Sequence, residues 1–473
     1  MADPNLETDT LETIIAGLRA GRLSSAAIAD WAIANHEARG DALHAYKTFD
    51  PDRVRGEAGL ADAARATHND LGPLQGIPVS IKDLFGVAGY PTFAGCLREL
   101  PDEWRGEGPV VRSLRRQLAV VSGKTHTVQF AYGGLGANPH WGAPRNPWDA
   151  SVHRSPGGSS SGAGVSLGEG SALLAIGSDT AGSVRIPASM TGNAGIRPTA
   201  GRWSTAGIVP LSPPLDTAGV LARSVADMTI GFAAIDPGVE EDAVAWTRRV
   251  ATADLADFHV GLCDWYFEDC DPGIAEGVKS ALDELARSGL RVSPATMPQF
   301  EPATGIFRDG GLHVGYFARF ITGEMSAYRA DLDPAVAIRI ENMEALSASE
   351  HLQRVHRLGE LTREAHASFD GMHALVGPTL PLTPPDMADL GNAEEQLRRN
   401  MRLVRNTNTA SLLGMCAVTL PVALDGAGMP VGLHVVARGG DEETALALAL
   451  ACERALGRAC HRIGLPPGRQ RAA

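Results

Sequence analysis

Two short segments rich in glycine and serine contain the residues best suited to chemistry. Residues 155–164 read SPGGSSSGAG, and residues 177–185 read GSDTAGSVR. Glycine permits the backbone conformations and close approaches that tight turns need. A serine hydroxyl becomes a nucleophile only when a base takes its proton, so these segments predict an active site that also contains a base.

The candidate base is Lys82, in the segment GIPVSIKDLF at residues 76–85. This segment is typical of a short buried strand with one cation near its end. Burial disfavours the charged ammonium and can lower a lysine pKa by about 3–5 units, which would leave an amine able to accept a proton. Taken alone, a lysine beside Asp83 is typical of a surface ion pair, and Ser183 of a helix cap. The presence of all three segments in this order favours catalysis.

The three segments resemble those of the amidase signature family, which has a lysine in a GIPVSIKD-like segment, a GGSS loop and a GSDTGGS-like loop. The resemblance implies that Lys82 is the base, that Ser159 is a bridging serine preceded by a cis peptide bond, and that Ser183 is the nucleophile that is acylated. Ser160 remains the alternative bridging serine. Protons would pass from Ser183 through Ser159 to Lys82, and neither a metal nor an organic cofactor would be needed.

The resemblance also implies contacts to the substrate. The backbone N–H groups expected to stabilise the oxyanion belong to Thr180, Ala181, Gly182 and Ser183. One such donor contributes roughly 3 kcal/mol in other hydrolases. The residues that align beside the acyl pocket are Ala131, Tyr132 and Gly133. Ala181 and Ser161 replace glycines that are usual in the family, so the size of the acyl group or the rate is expected to differ from relatives.

Other motifs in the chain predict structure rather than chemistry. Ser166 fits a G-x-S-x-G pattern but lies in a stretch of small residues typical of a helix, not directly after a strand. Lys124 follows a glycine as in a phosphate loop, but the first glycine of such a loop is missing. Arg185 is expected to anchor the catalytic loop through its planar donors. The 14 histidines include no HExxH motif, so no metal site is predicted.

The composition is typical of a large soluble enzyme. The chain has 473 residues, of which 44% are apolar and 54 are glycine, and this favours a compact α/β fold over disorder. A formal net charge of −13 and only 5% aromatic residues argue against a nucleic-acid partner. The acidic N-terminus lacks the features of a secretory signal, and no apolar run approaches the roughly 20 residues that span a bilayer. Six scattered cysteines without a CxxC pair favour reduced thiols, so we expect a cytoplasmic protein without a membrane partner.

We expect a single α/β domain with a large mixed β-sheet covered by helices on both faces, as the resemblance implies. Two amphipathic helices are predicted near the N-terminus, capped by Thr10 and by Ser24 or Ser25. Strands are predicted at residues 76–84, 119–123, 173–177 and 428–437, and helices at residues 110–118, 163–170 and 276–288. The domain divides into N-terminal helices (10–70), a catalytic core (71–235), a variable helical region that shapes the substrate pocket (236–366) and a C-terminal return to the core (367–460).

Together these inferences predict an amidase that hydrolyses a carbon–nitrogen bond of a small or aryl amide through an acyl-enzyme. Carbamates, as in a urethanase, and esters are similar acyl donors that the sequence does not separate from amides. Two alternatives remain open: the glutaminase subunit of an amidotransferase, and a non-catalytic relative that acts as a binding protein. The expected partners are small-molecule substrates, and a homodimer is left open.

Overall fold

A mixed β-sheet forms the centre of the protein in the computed structural model, which describes residues 5–344 and 346–469. The strands in chain order are β1 (Tyr46–Phe49), β2 (Pro78–Lys82), β3 (Val120–Thr125), β4 (Leu174–Asp179), β5 (Ala194–Arg197), β6 (Thr217–Ala222), β7 (His259–Cys263), β8 (Arg291–Ala295), β9 (Ala374–Pro378), β10 (Cys416–Leu424) and β11 (Pro430–Ala437). Within the described residues they form one eleven-stranded sheet in the order β1-β3-β2-β4-β6-β5-β10-β11-β9-β7-β8. The strands β2, β3 and β4 are parallel, as are β7, β8 and β9, and the remaining neighbours are antiparallel.

Helices connect these strands and cover the sheet. In chain order they are α1 (Leu11–Arg19), α2 (Ser25–Leu43), α3 (Pro51–Ala66), α4 (Pro109–Arg116), α5 (Ser161–Glu169), α6 (Arg185–Met190), α7 (Val225–Ile235), α8 (Ala243–Val250), α9 (Ile274–Arg287), α10 (Phe300–Arg308), α11 (His313–Gly323), α12 (Pro334–Glu344), α13 (Ala348–Ala367), α14 (Ala393–Leu412), α15 (Glu442–Leu456) and α16 (Ala459–Arg462). Short 3₁₀ turns, such as Gln129–Ala131, lie between them.

Alternate residues of the central strands contact helices on opposite sides of the sheet. On β4, Leu174 and Ile176 belong to the large apolar core that includes α7, whereas Ala175 packs with Ala163 and Leu167 of α5. Side chains of a strand point alternately to its two faces, so α5 and α7 lie on opposite faces. The expected α/β fold, with helices on both faces of a large mixed sheet, is confirmed.

Local sequence signals locate many of the elements. The hydroxyls of Thr10 and Ser24 accept hydrogen bonds from the N–H groups of Thr13 and Ala27, as N-caps of α1 and α2. The predicted strands correspond to β2, β3, β4 and β11, and the predicted helices to α4, α5 and α9, with ends shifted by a few residues. A long apolar run at residues 445–452 lies within α15, which packs on β10 and β11. No helix in the described part of the chain is long and apolar enough to cross a membrane.

The variable region at residues 236–366 contains two strands that its helical pattern does not predict. β7 pairs in parallel with β9, and β8 extends the same edge of the sheet. β8 is partly exposed and contains Pro294, as edge strands can. Such a strand shows no regular alternation of apolar and polar residues, so the sequence pattern does not predict it. β1, at the opposite edge, is likewise absent from the predicted elements.

The carboxyl ends of β2, β3 and β4 meet at one edge of the sheet because these strands are parallel. Lys82 is the last residue of β2, and Asp179 is the last residue of β4. In open α/β sheets, ligands bind beyond the carboxyl ends of the strands. The fold therefore collects the three glycine-, serine- and lysine-bearing segments at the place where a ligand is expected.

Asp83 does not form a surface ion pair with the neighbouring Lys82. It pairs instead with Lys124 of β3, whose Nζ lies 2.9 Å from Asp83 Oδ1, and both side chains are 0% exposed. Lys124 also donates hydrogen bonds to Thr92 Oγ1 and to the Pro91 carbonyl. Lys124 therefore has a structural role, in agreement with the sequence analysis.

Replacement of Lys124 is expected to destabilise the protein strongly. Lys124→Met leaves Asp83 buried without its cation, and breaking a buried ion pair from one side typically costs about 3–5 kcal/mol. The loss is measured as a lower midpoint of urea unfolding at neutral pH. The double variant Asp83→Asn/Lys124→Met removes both charges and should lose less stability than Lys124→Met; an equal or larger loss would show that the pairing is not what stabilises this strand.

Candidate active site

Lys82 is completely buried at the end of β2, with 0% of its surface exposed. Its Nζ lies 2.7 Å from Ser159 Oγ and 2.9 Å from Ser178 Oγ. Burial lowers the pKa of Lys82 to about 7, although the negative charges of Asp179 and Asp216 act in the opposite direction. A substantial fraction of Lys82 is therefore uncharged near neutral pH, and an uncharged amine can accept a proton from a hydroxyl.

The loop that carries Ser159 is held in a compact conformation. The Gly158–Ser159 peptide bond is cis, as the family resemblance implies. The Ser159 carbonyl accepts a hydrogen bond from the Val128 N–H at 3.1 Å. Gly157 has a φ of 76°, and a Cβ atom there would lie 2.9 Å from a Cα atom of α6, so the turn requires glycine. These contacts hold the Ser159 hydroxyl against Lys82.

The loop that carries Ser183 is anchored by the buried carboxylate of Asp179. This carboxylate accepts hydrogen bonds from the backbone N–H groups of Gly182 at 2.7 Å and Val184 at 3.1 Å. Arg185 donates to it from Nε and Nη2, each at 3.1 Å. Burial by itself would raise the pKa of Asp179, but Arg185 and a second buried arginine hold that pKa well below its usual range. Arg185 therefore anchors the loop, as the sequence analysis expects.

The N–H of Gly182 is already used within the loop, contrary to its expected role in the oxyanion site. It donates to Asp179, so it is not directed at a substrate oxygen in this structure. Gly182 has a φ of 139°, and a Cβ atom there would lie 2.2 Å from Thr407 Oγ1 of α14. Thr407 donates a hydrogen bond to the Ala181 carbonyl at 2.7 Å, which fixes the loop from outside. The expected oxyanion donors that remain are the N–H groups of Thr180, Ala181 and Ser183.

Ser183 lies in the wall of a cavity, here called the Ser183 cavity, with 7% of its surface exposed. Its carbonyl accepts a hydrogen bond from the Ser160 N–H at 3.3 Å, which joins the two loops rich in glycine and serine. Among the residues that the structure describes, the Ser183 hydroxyl has no hydrogen-bond partner. Catalytic hydrogen bonds often tighten only when substrate binds. The Lys82–Ser159 contact is thus in place, whereas no hydrogen bond joins Ser183 and Ser159 among the described residues.

The Ser183 cavity brings together the substrate-contact residues implied by the resemblance, except Gly182. Its wall includes Ala131, Tyr132, Gly133, Thr180, Ala181 and Ser183. Phe130 and Ala131 have positive φ values of 47° and 61°, which residues other than glycine rarely adopt. Such conformations cluster at active sites and ligand clamps, where the surrounding structure enforces them.

The rest of the cavity wall comes from residues that sequence reasoning missed. Besides Gly134, it consists of Leu211, Phe307 of α10, His313 of α11, and Asn400 and Val404 of α14. Asn400 Oδ1 accepts a hydrogen bond from the Gly134 N–H at 2.6 Å, which joins α14 to the segment at residues 130–134. The rings of Phe307 and His313 are stacked, with centroids 4.4 Å apart. No local motif marks these residues, because only the packing of distant helices brings them to the site.

The structure distinguishes between the two candidate bridging serines. Ser160 Oγ donates to the carbonyl of Ser178 at 3.3 Å, whereas Lys82 Nζ contacts Ser159. This arrangement favours Ser159 over Ser160 as the bridge. Ser178 is a further residue that the sequence analysis did not single out, although it stands in the GSDT segment and is the second hydroxyl within reach of Lys82.

Two other serines noted in the sequence take part in packing contacts of α5. Ser161, which replaces a usual glycine, begins this helix and lies with its Oγ 3.0 Å from His126 Nδ1. Ser166 lies inside the same helix, with its Oγ 2.8 Å from Ser80 Oγ. Ser166 therefore lies inside a helix and not on a strand-to-helix elbow, which agrees with the sequence analysis.

Comparison with known proteins agrees with this geometry. A sequence model of the family described as Amidase matches residues 30–446. The chain is 45% identical to 2-amino-5-chloromuconic acid deaminase of Comamonas testosteroni, over 95% of this chain and 97% of the relative. It is 32% identical to a subunit of Glutamyl-tRNA(Gln) amidotransferase from Salinispora arenicola (strain CNS-205), over 94% of this chain and 96% of the relative. A solved structure of an amidase superposes with a TM-score of 0.83 at 30% identity, covering 95% of this chain and 100% of that chain. The chain therefore belongs to the amidase family and is a hydrolase that acts on carbon–nitrogen bonds other than peptide bonds.

Proposed function

We propose that this enzyme cleaves the C–N bond of a small amide through an acyl-enzyme on Ser183, with Ser159 as the proton relay and Lys82 as the base. The observation that carries the proposal is the buried Lys82 amine, with a pKa lowered to about 7, 2.7 Å from Ser159 Oγ. A lysine that only balanced charge would contact a carboxylate. Among the described residues, the side-chain groups that Lys82 Nζ contacts within hydrogen-bond distance are hydroxyls.

In the acylation step, Ser183 loses its proton as it attacks the acyl carbon. The proton passes to Ser159 Oγ while Ser159 passes its own proton to Lys82 Nζ. The new C–O bond moves an electron pair onto the acyl oxygen, where the N–H groups of Thr180, Ala181 and Ser183 would stabilise it. The C–N bond then breaks, and the departing nitrogen takes the proton that Lys82 holds.

In the deacylation step, a water molecule takes the place of the departed amine. The same relay removes a proton from the water, which attacks the acyl carbon and releases a carboxylic acid. The proton returns through the relay to Ser183 Oγ as the C–O bond to the enzyme breaks. The proton that leaves Ser183 thus departs with the amine, a proton from water replaces it, and the enzyme ends the cycle unchanged.

The walls of the Ser183 cavity favour a small, uncharged acyl group. They combine apolar surface from Phe307, Leu211 and Val404 with the polar side chains of His313 and Asn400. In the described lining there is no lysine or arginine to pair with a carboxylate. Carbamates and esters present the same carbonyl to the same relay, so we propose them as further acyl donors.

A 2-amino acid of the muconate type is a second candidate substrate. The observation in its favour is the 45% identity to 2-amino-5-chloromuconic acid deaminase over 95% of this chain. Deamination also breaks a C–N bond, and ammonia is the departing group. The lack of a cation in the described cavity lining makes the uncharged amide the first candidate.

Two other interpretations of the family resemblance have distinct signatures. A glutaminase subunit, as suggested by the 32% identity to a component of an amidotransferase, would pass ammonia to a partner protein, so a stable partner would co-purify with it. A non-catalytic binding protein would leave Ser183 unreactive.

Ser183 is expected to react with a fluorophosphonate probe. Its hydroxyl is activated by the relay and opens to the cavity, so intact mass should rise by one phosphonyl group. Ser183→Ala should show no adduct and lose at least about a thousandfold in kcat/KM, as loss of a nucleophile does in other serine hydrolases. Ser160→Ala is the matched control and should keep the adduct. An adduct on Ser183→Ala would assign the nucleophile elsewhere.

The kcat/KM for hydrolysis of butyramide is expected to increase with pH and level off above about 7. The base must be uncharged to accept a proton, and the pKa of Lys82 is lowered to about 7. Below that pH the fraction of Lys82 that is protonated grows, so kcat/KM falls about tenfold per pH unit. Lys82→Ala should fold normally and lose most of the activity at every pH. A profile that is flat from pH 5 to pH 9 would remove Lys82 from the base role.

Release of ammonia from butyramide and from 2-amino-5-chloromuconic acid separates the two candidate substrates. We expect kcat/KM to be at least about tenfold higher for butyramide, because the described cavity lining contains no lysine or arginine to pair with the acid. Ammonia is measured by a coupled assay, with Ser183→Ala as the background for both compounds. Faster turnover of the acid would establish deamination as the main activity.

A further inference from the structure

A second cavity, here called the lysine-side cavity, lies next to the relay. It is lined by residues that include Leu84, Ser178, Thr180, Ile208, Val209 and Asp216. It shares Ala131, Thr180 and Leu211 with the Ser183 cavity, so the two cavities adjoin at these residues. Ser183 lines only the first cavity, and Ser178 lines only the second. The mechanism described above gives this second space no occupant.

Ser178 connects the lysine-side cavity to the base. Its Oγ lies 2.9 Å from Lys82 Nζ, which itself lies 2.7 Å from Ser159 Oγ. Lys82 therefore stands between a hydroxyl that serves the nucleophile and a hydroxyl in the wall of the second cavity. A group bound in that cavity would be close to the proton that Lys82 takes up during acylation.

The wall of the lysine-side cavity offers an acceptor suited to an amine. The buried carboxylate of Asp216 accepts hydrogen bonds from Thr180 Oγ1 and from the N–H groups of Leu211 and Ser212. A carboxylate has about four acceptor sites, so one remains for a further donor. Ammonia or a primary amine would supply such an N–H donor.

The size of the lysine-side cavity restricts its occupant. Its volume is about 70 Å³. A cavity of about 150 Å³ holds benzene, and a cavity needs at least about 10–15 Å³ to hold one water molecule. The cavity therefore has room for water, ammonia or a short alkylamine, but not for an aromatic amine. Leu84, Ile208 and Val209 form apolar walls that set this limit.

We propose that the lysine-side cavity receives the leaving amine, while the acyl group remains in the Ser183 cavity. This assignment rests on the proposed function. When the C–N bond breaks, its electron pair stays on nitrogen, which takes the proton held by Lys82 and departs as neutral ammonia or a small amine. The acyl carbon stays bonded to Ser183 Oγ. The two cavities then select separate parts of the substrate: one limits the substituent on nitrogen and the other limits the acyl chain.

Enlarging the lysine-side cavity tests this assignment. Ile208→Ala widens its wall and is expected to raise kcat/KM for N-benzylbutyramide relative to butyramide by about tenfold or more. The ratio of kcat/KM for hexanamide to kcat/KM for butyramide, which reports on the acyl chain, should stay within about twofold of the wild-type ratio. If Ile208→Ala does not fold, Ile208→Val removes a single methylene from the same wall and should give a smaller shift in the same direction.

Val404→Ala is the matched control, because Val404 lines only the Ser183 cavity. This variant should change kcat/KM for hexanamide relative to butyramide by about tenfold. It should leave kcat/KM for N-benzylbutyramide relative to butyramide within about twofold of the wild-type ratio. The assignment is overturned if Ile208 variants shift the acyl-chain ratio instead, or if both ratios move together in both variants.

Failure of this assignment can be told apart from failure of the proposed function. If the wild-type enzyme hydrolyses neither butyramide nor p-nitrophenyl butyrate and Ser183 takes up no phosphonyl group, the proposed function fails, and this assignment fails with it. If the wild type is active and Ile208 variants leave the N-benzyl ratio unchanged, only the assignment of the leaving amine to this cavity fails.

Discussion

The contact between the buried amine of Lys82 and the hydroxyl of Ser159 is the interaction on which the rest of the site depends. A lysine is largely uncharged near pH 7 only if it is removed from water. Lys82 is removed from water because it ends a central strand and is covered by the two catalytic loops. The same loops carry the hydroxyls. One arrangement of strand end and loops therefore both lowers the pKa of the lysine and supplies the hydroxyl from which, under the proposed function, the lysine takes a proton.

The carboxylates of Asp83 and Asp179, which lie close to Lys82 along the chain or in space, each form an ion pair with another cation. Burial can therefore still lower the pKa of Lys82. An unpaired carboxylate nearby would favour the ammonium form and raise the lysine pKa again. Asp83, the next residue in the chain, is paired with Lys124. Asp179 is paired with Arg185 and Arg197 at the base of the nucleophile loop. Asp216, the other carboxylate that acts on Lys82, is held by hydrogen bonds from Thr180 Oγ1 and from the N–H groups of Leu211 and Ser212.

The sequence predicts which serines and lysine lie close together better than it predicts the cavities around them. Lys82, Ser159 and Ser183 stand in segments whose glycine and serine content reflects local backbone requirements, so their pattern is visible within ten residues. Phe307 and His313 reach the site only through packing of α10 and α11, which no short motif encodes. β7 and β8 are also absent from the predicted elements, because Gly261 in the middle of β7 and Pro294 in the edge strand β8 weaken the strand pattern. The engagement of the Gly182 N–H likewise depends on the final shape of the loop.

The hydrogen bonds from α14 to the nucleophile loop have a consequence for the biogenesis of the enzyme. Thr407 donates to the Ala181 carbonyl and Ser411 accepts from Arg185, so each contact joins residues 226 positions apart. β5 similarly pairs with β10, near the other end of the chain. Translation proceeds at roughly 5–20 residues per second, so Ser183 leaves the ribosome well before its supports exist. A nascent polypeptide therefore carries Ser183 on an unfinished loop, and the candidate site is complete only when α14 and β10 have docked.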